Sequence, residues 1–289
     1  MANPSPSVVR SEPEPVEFMR GLDPHAIEIS VVLPCLNEEA SVAQCVVSIQ
    51  DVLDVVGKSY EVIVVDNGSS DHSAARAGIV GARVVHEPVA GYGSACRAGL
   101  DAAKGRHLVL GDADGTYDFS IVPQLVALLD EGADMVLGNR LQGNMEPGAM
   151  PWAHRRIGTP ILTGFVNVLF GTDIGDVNCG IRAITRSAYS RLEVESTGME
   201  FASEMVVRAT QRDLCLAELP VDYRRRRSGE AKLRTWADGW RHLKLVAGSW
   251  LTRGRRTVAA APVVNIANAS DVIIELREAD EPDANRLRI

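Results

Sequence analysis

Ile29-Ser30-Val31-Val32-Leu33-Pro34-Cys35-Leu36-Asn37-Glu38 is an apolar run that is stopped by a proline and then turns polar. Such a run reads as a buried strand whose polar end reaches a surface. The spacing that follows makes it the first of a series. Glu38 to Val56 carries Val42, Val46, Ile49 and Leu53 on one stripe, which predicts a helix. Tyr60 to Asp66 reads as a second strand, closed by the turn and helix-start signal Asn67-Gly68-Ser69-Ser70-Asp71. Ala82 to His86, Arg106 to Leu110 and Ala133 to Leu137 read as further strands, with helices at Tyr92 to Lys104 and Ile121 to Leu129. Strands thus alternate with helices through residue 138, which predicts a mostly parallel central sheet flanked by helices. In such a sheet, ligands sit in the crevice beyond the carboxyl ends of the strands. Three of those ends are polar: Asn37-Glu38, Asp66-Asn67 and Asp112-Ala113-Asp114.

Outward from this core the signals weaken. Residues 1–26 are rich in Pro, Ser and Glu and read as a loose, disordered N-terminal tail. Gly143 to His154 is a loop punctuated by Gly and Pro, Ile157 to Phe170 and Glu200 to Arg212 are helix candidates, and Leu214 to Tyr223 is a strand broken by Pro220. The pattern predicts a single domain over 27–246 and a C-terminal tail, 247–289, of unreadable role. The chain has 289 residues, with Lys+Arg 30 against Asp+Glu 38 and a net charge of −8. That balance disfavours a nucleic-acid partner, which requires a cationic face. The basic charge is local: Arg224 to Arg256 holds eleven Lys/Arg against two acids. The five cysteines are scattered without a C-x-x-C pair, which predicts buried thiols in a reducing compartment. No signal peptide is legible, and no run reaches the roughly 18 to 20 apolar residues of a membrane span. The expected location is cytoplasmic, with room for contact at the cytoplasmic face of a membrane.

Certain residue types point to chemistry. Asp112 and Asp114 are two carboxylates one residue apart at a strand end, able to face one hard cation such as Mg²⁺ or Mn²⁺. Taken alone, D-x-D is also what a solvated acidic turn contains. Asp66 can accept from a nucleobase N–H or a ribose hydroxyl, or cap the next helix. Asn37 and Glu38 can hold nucleotide hydroxyls, or start a helix. Gly91-Tyr92-Gly93-Ser94 permits close backbone approach to a ligand, or is a plain turn. Arg224 to Arg227 can serve an anion, or be a solvated loop.

Taken in order, VVLPCLNEE (31–39), VVDNGSSD (64–71), GYGSACRAG (91–99) and LGDADGTYD (110–118) resemble the family 2 glycosyltransferases. The branch they most resemble is the dolichyl- and polyprenyl-phosphate sugar transferases of dolichol-phosphate mannose synthase type. The stretches GNRLQGNMEPGAMPWAHRRIG (138–158), NCGIRAITRSAY (178–189), GMEFASEMVVRA (198–209) and SGEAKLRTWADGWRHLK (228–244) extend the resemblance. It implies a GT-A fold, a nucleotide-diphosphate sugar donor and a divalent metal. By resemblance, Pro34, Asn37, Glu38, Asp66 and Gly91 would hold the nucleotide-sugar, with Asp112 and Asp114 on metal and diphosphate. Arg140, Arg155 and Arg156 would bind the acceptor phosphate, with Arg140 also serving catalysis. Arg227 and Lys232 would clamp the donor diphosphate.

The implied reaction is inverting transfer of a hexose to a polyprenyl phosphate. A soluble enzyme acting on a small metabolite and a non-catalytic nucleotide-sugar binder are the other readings. Two positions depart from the pattern: Thr116 stands where relatives often carry Gln, and Ala231 where they carry Ser. Thr235 to Leu251 sets Trp236, Trp240 and Trp250 among basic residues, which suits an amphipathic C-terminal helix at a membrane surface or one packed on the core. Glu200 and Glu204, one helical turn apart, are each open to a role at the sugar or acceptor or to a structural role through pairing with Arg182 or Arg208, and Asp176 is open in the same way.

Overall fold

The computed structural model describes residues 27–226, 235–252 and 263–265. Eight strands form one sheet: β1 (Ile29–Cys35), β2 (Tyr60–Asp66), β3 (Arg83–His86), β4 (His107–Leu110), β5 (Met135–Asn139), β6 (Arg182–Thr185), β7 (Leu216–Pro220) and β8 (Val263–Asn265). Their spatial order is β3-β2-β1-β4-β6-β5-β7-β8. Every pairing is parallel except those of β6, which runs antiparallel between β4 and β5. The helices are α1 (Val42–Val56), α2 (Ser73–Ile79), α3 (Tyr92–Ala102), α4 (Val122–Asp130), α5 (Thr159–Phe170), α6 (Arg186–Leu192), α7 (Phe201–Gln211) and α8 (Thr235–Thr252).

The alternation of side chains along a strand supplies two cores at once. Val31, Leu33, Val62 and Val64 face α1 and α4 through Val46, Ile49, Leu53 and Leu125. Val32, Ile63 and Val65 face the other way, onto Ala95, Cys96 and Leu100 of α3, and that core continues through Phe170, Phe201, Met205 and Val246. Both faces are therefore covered, which is why the strands read as unbroken apolar runs.

Topology then places the cleft. From β1 the chain steps outward to β2 and β3, then returns to lay β4 against the other edge of β1. The strand order reverses between β1 and β4, so their carboxyl ends part and leave a crevice. Glu38 follows β1, and Asp112 and Asp114 follow β4.

Several expectations are corrected. Pro34 does not stop β1: the strand continues to Cys35, which pairs with Asp66. The carbonyl of Val32 accepts from Gly111 on the β4 side, so Pro34, two residues on, turns its nitrogen to that side. The β4 ladder ends with Leu110 opposite Val32, so Pro34 sacrifices no hydrogen bond there. The first helix begins at Val42 rather than Glu38: residues 39–41 form a turn, and Ser41, with a φ of −122°, stands at its N-terminus. The antiparallel β6 and the helix α6 stand where no element was expected. Val263–Asn265, in the segment that gave no reading, adds a strand beside β7. Helix α8 buries His242 and Val246 while Trp240, Leu243, Trp250 and Leu251 stay exposed, so it both packs on the domain and presents an apolar face.

Gly99 of α3 sits directly on the sheet, where an added Cβ would lie 2.2 Å from a Val32 methyl and 2.7 Å from a Val65 methyl. Overpacking of that kind costs about 1–3 kcal/mol. Gly99→Ala is expected to lower the urea midpoint accordingly with an unchanged m-value.

Candidate active site

Strand β4 is buried at every residue, and the chain leaves it through Gly111, whose missing Cβ makes room for the Phe119 ring. Asp112 is half-buried and accepts from the Tyr92 hydroxyl at 3.2 Å. Burial, and then the neighbouring Asp114, push its carboxyl up to about 7. A side chain on Gly180 would put its Cβ 2.4 Å from Asp112 Oδ2, so only glycine permits this placement. Asp114 is buried and its Oδ1 accepts from the Thr116 amide at 3.0 Å and the Thr116 hydroxyl at 2.7 Å. Thr116, the residue that departs from the family pattern, thus aims Asp114.

The other oxygen of Asp114 lies 2.8 Å from Arg226 Nη2, and Arg226 Nη1 donates to Glu38 Oε1, also at 2.8 Å. One guanidinium therefore joins the ends of β1 and β4. Arg226 was not singled out from the run Arg224 to Arg227. Its signal was the two-residue alternation of an extended chain. Arg224 pairs with Asp118 and Arg226 with Asp114 and Glu38, while the Arg225 side chain donates to the Pro147 carbonyl and its backbone amide to Glu146. Arg224 and Arg225 are exposed and each is bonded, while Arg226 is the one drawn into the cleft. Arg227, Ala231 and Lys232 lie outside the described residues.

On the β1–β2 side, Asn37 holds the facing turn: its Oδ1 accepts from the Ser70 amide at 2.7 Å, and its own amide donates to Ser69 Oγ at 3.0 Å. Asp66 accepts from the Ser69 amide at 3.1 Å and stands 3.2 Å from Nδ1 of the exposed His86. The amide of Glu38 donates to Ser73 Oγ at 2.8 Å. Pro34 is half-buried at the mouth of β1.

Gly91 has a φ of +141°, open in practice to glycine alone. The space its Cβ would take is filled by the chain itself, 2.1 Å from the Thr197 carbonyl, and Gly93 meets the Ser196 carbonyl at 2.4 Å in the same way. These glycines seat the 196–198 segment on α3. That segment is tied in turn to Glu204, whose carboxylate accepts from the amides of Glu195 and Ser196 and pairs with Arg208 at 3.0 Å. Glu204 therefore has a structural place. Arg182 bonds elsewhere, to the carbonyls of Cys179 and Ala202. Glu200 Oε2 would lie 2.5 Å from a Cβ on Gly198.

Arg140 leaves β5 into a buried pair. Its Nε and Nη2 donate to the two oxygens of the fully buried Asp176, at 2.7 and 2.9 Å. Its guanidinium carbon also lies 5.3 Å from the centre of the Tyr223 ring. Its charge reaches Asp112, where it opposes the upward push on that carboxyl. Arg155 and Arg156 sit on a single turn of π-helix, His154–Gly158, before α5. Among the described residues, neither is bonded to Asp112, Asp114 or Arg226. Asn67 was not anticipated: it holds the loop before α3 by bonds to the carbonyls of Glu87 and Val89 and to the amide of Gly91.

The cleft thus gathers Glu38, Asp112 and Asp114 with Arg226, and sets Arg140 nearby. Among the described residues, no three His, Cys, Asp or Glu side chains converge as a complete metal cage. Two oxygen donors fit a hard divalent cation that completes its shell with phosphate oxygens and water.

The model of glycosyl transferase family 2 matches residues 30–192. The low-salt glycan biosynthesis hexosyltransferase Agl6 of Haloferax volcanii is 41% identical over 219 residues, 75% of this chain and 52% of the relative, so the chain spans about half of that protein. A dolichyl-phosphate hexose transferase of Haloferax volcanii is 32% identical, over 73% of this chain and 89% of its own. Among solved structures, glucosyl-3-phosphoglycerate synthase from Mycobacterium tuberculosis, in complex with Mn²⁺, UDP-glucose and phosphoglyceric acid, aligns with a TM-score of 0.63 and 25% identity, covering 79% of this chain and 81% of that one. The likeness carries the GT-A architecture.

Removing one partner of a buried ion pair leaves the other charge uncompensated, at a cost of about 3–5 kcal/mol. Asp176→Ala should lose that much stability in chemical denaturation, because Arg140 would keep its burial and lose its counter-charge.

Proposed function

The chain belongs to glycosyl transferase family 2, and from that premise we propose that it transfers a hexose from a nucleotide-diphosphate sugar to a polyprenyl phosphate. The observation that carries this reading is the pairing of Asp112 and Asp114 at the reversal of strand order, with arginines beside them. Asp112 and Asp114 would hold Mg²⁺ or Mn²⁺, whose positive charge, when bound, offsets the charge on the departing nucleoside diphosphate. Asp112 fits this task because burial and the neighbouring Asp114 make its carboxylate gain from any nearby positive charge.

The protein's own residues supply the rest. Pro34, Asn37, Glu38 and Asp66 would border the nucleoside, with Gly91 closing that end. Thr116 aims the Asp114 carboxylate. A phosphate oxygen of the acceptor attacks the anomeric carbon while the bond from that carbon to the diphosphate oxygen breaks, with inversion. A phosphate is already a charged nucleophile, so orientation by guanidinium groups matters more than a strong base. Arg140 is held rigid by Asp176 for such a role, with Arg155 and Arg156 offered for the approach of the acceptor. Arg227 and Lys232 would complete the diphosphate clamp.

Two features favour a lipid acceptor. A relative covered over most of its length is named a dolichyl-phosphate hexose transferase. In addition, α5 and α8 pack side by side and both expose apolar residues: Ile161 and Val168 on α5, Trp240 and Leu251 on α8. Trp152 is 70% exposed beside Arg155 and Arg156, and Lys244 lies over the Trp240 ring at 5.5 Å. Apolar residues and tryptophan with basic neighbours suit the headgroup region of a bilayer. Among the described residues no helix is long and apolar enough to cross a membrane, so this contact would be peripheral. A second reading, transfer to a small phosphorylated acid, is favoured by the phosphoglyceric acid in the neighbouring structure.

Three measurements test the proposal. Chromatography of products formed from UDP-glucose, GDP-mannose or UDP-GlcNAc with Mn²⁺ should show sugar on undecaprenyl or dolichyl phosphate. A sugar found only on a soluble phosphorylated acid would select the second reading. Asp114→Ala should cut transfer at least about a hundredfold with its circular dichroism unchanged, and full activity in that variant would remove the metal assignment. In flotation with vesicles containing anionic phospholipid, wild type should float, and the double variant Trp240→Asp, Leu251→Asp should stay at the bottom.

A further inference from the structure

Arg226 spans the crevice between the ends of β1 and β4. Its guanidinium reaches two carboxylates from opposite sides of the crevice, Glu38 and Asp114, each at 2.8 Å. Both acids are almost fully buried, and the Arg226 side chain is only a quarter exposed. The backbone delivers it there. The Arg224 amide donates to the Thr116 carbonyl at 2.8 Å, and the Arg225 amide to Glu146 Oε2 at 2.9 Å. The Arg224 side chain anchors on Asp118. Position 226 is thereby held over the Asp114 turn by two bonded neighbours, one on each side of the extended segment.

The consequence concerns Asp114. Its Oδ1 is engaged by Thr116 and its Oδ2 by Arg226. An aquated divalent ion arriving alone would have to shed water and displace a charge-assisted bond, leaving the guanidinium with one anionic partner fewer. A nucleoside diphosphate changes that balance, because its oxygens give the displaced guanidinium a new anion as the ion takes Asp114. The exchange conserves ion pairs only when ion and diphosphate arrive together.

We propose that Arg226 is the resident cation of the cleft: it occupies Asp114 and Glu38 until donor arrives, and so couples metal binding to nucleotide binding. The inference rests on the reading of Asp112 and Asp114 as the metal holders. Coupling of this kind is reciprocal: nucleotide tightens the ion by the same factor by which the ion tightens nucleotide.

The test is Mn²⁺ binding followed by electron paramagnetic resonance, with Mn²⁺ alone and with Mn²⁺ plus UDP or GDP. It uses the full-length protein in four forms: wild type, Arg226→Gln, Arg226→Lys and Asp114→Asn. With the competitor removed, Arg226→Gln should bind Mn²⁺ alone about tenfold more tightly than wild type, and nucleotide should tighten it less. Arg226→Lys keeps a charge but loses the fork that spans two carboxylates, and should fall between the two. It also supplies the comparison if the Gln variant does not fold. Mn²⁺ affinity that is unchanged or weaker in Arg226→Gln, or in Arg226→Lys where only that variant folds, overturns the proposal. The Asp114→Asn variant separates the two levels. Loss of Mn²⁺ binding there alongside no effect at Arg226 leaves the metal reading standing and removes the resident cation. Undiminished Mn²⁺ binding in Asp114→Asn removes the metal reading itself, and the coupling with it.

Discussion

Negative charge collected at the parted ends of β1 and β4 is the condition that the surrounding structure answers. Glu38 and Asp114 are buried there and share one guanidinium, and the half-buried Asp112 stands two residues before Asp114. Carboxylates in such surroundings either take up protons or find cations. Asp112 shows the first tendency, its carboxyl pushed up to about 7 by burial and by Asp114. The second is met within the chain, by Arg226 on Glu38 and Asp114 and by the charge of Arg140 near Asp112. The strand topology makes the convergence unavoidable, because β1 and β4 are neighbours whose following segments leave in different directions.

The parts around the cleft fix its side chains rather than act by themselves. Gly91 and Gly93 surrender their side-chain space to the carbonyls of Thr197 and Ser196, and Glu204 pins the same segment by its amides. Gly180 presses on the Asp112 carboxylate, and its amide is held by the Tyr117 hydroxyl at 2.8 Å. Tyr117 in turn packs against Tyr223, the ring under Arg140. Asp176 is itself anchored, since its amide donates to Glu218 at 3.0 Å. Glycines that look like ligand-approach positions in the sequence are here conditions for close packing between segments of the chain.

The first half of the fold was legible because both faces of a parallel sheet are buried, so each strand stands out as an apolar run between helical stripes. Its carboxyl ends pointed to Glu38, Asp66, Asp112 and Asp114 for the same reason. The second half was not. Strand β6 is four residues long, and its first residue, Arg182, is a cation buried against backbone carbonyls, which no hydropathy pattern marks. Its antiparallel entry between β4 and β5 breaks the βα rhythm. Which arginine of the run at 224–227 meets the acids depends on where the extended chain is tethered, and that tether is a backbone bond to Thr116, invisible in side-chain identity. Glu204 and Asp176 were ambiguous because each joins backbone amides to an arginine: Glu204 to Arg208 one turn along its own helix, Asp176 to Arg140 brought near by folding.

The apolar outer face of α8 and the cleft are not independent surfaces. On the inner side of the same helix, His242 Nδ1 lies 2.7 Å from Ser203 Oγ, and Ser203 donates to Asn178 Oδ1 at 3.3 Å. A serine has one proton, so the bond between His242 and Ser203 draws its proton from the imidazole Nδ1. The Asn178 amide donates to Asp176 Oδ1 at 3.2 Å, and Asp176 holds Arg140. A partly buried path of hydrogen bonds therefore runs from α8 through α7 to the arginine that leaves β5. Polar chains of this sort rigidify what they join, since each unmet buried partner would be costly. The orientation of Arg140 toward any phosphate is thus fixed by the same packing that seats α8, and the exposed tryptophans of that helix stand in a set relation to the cleft.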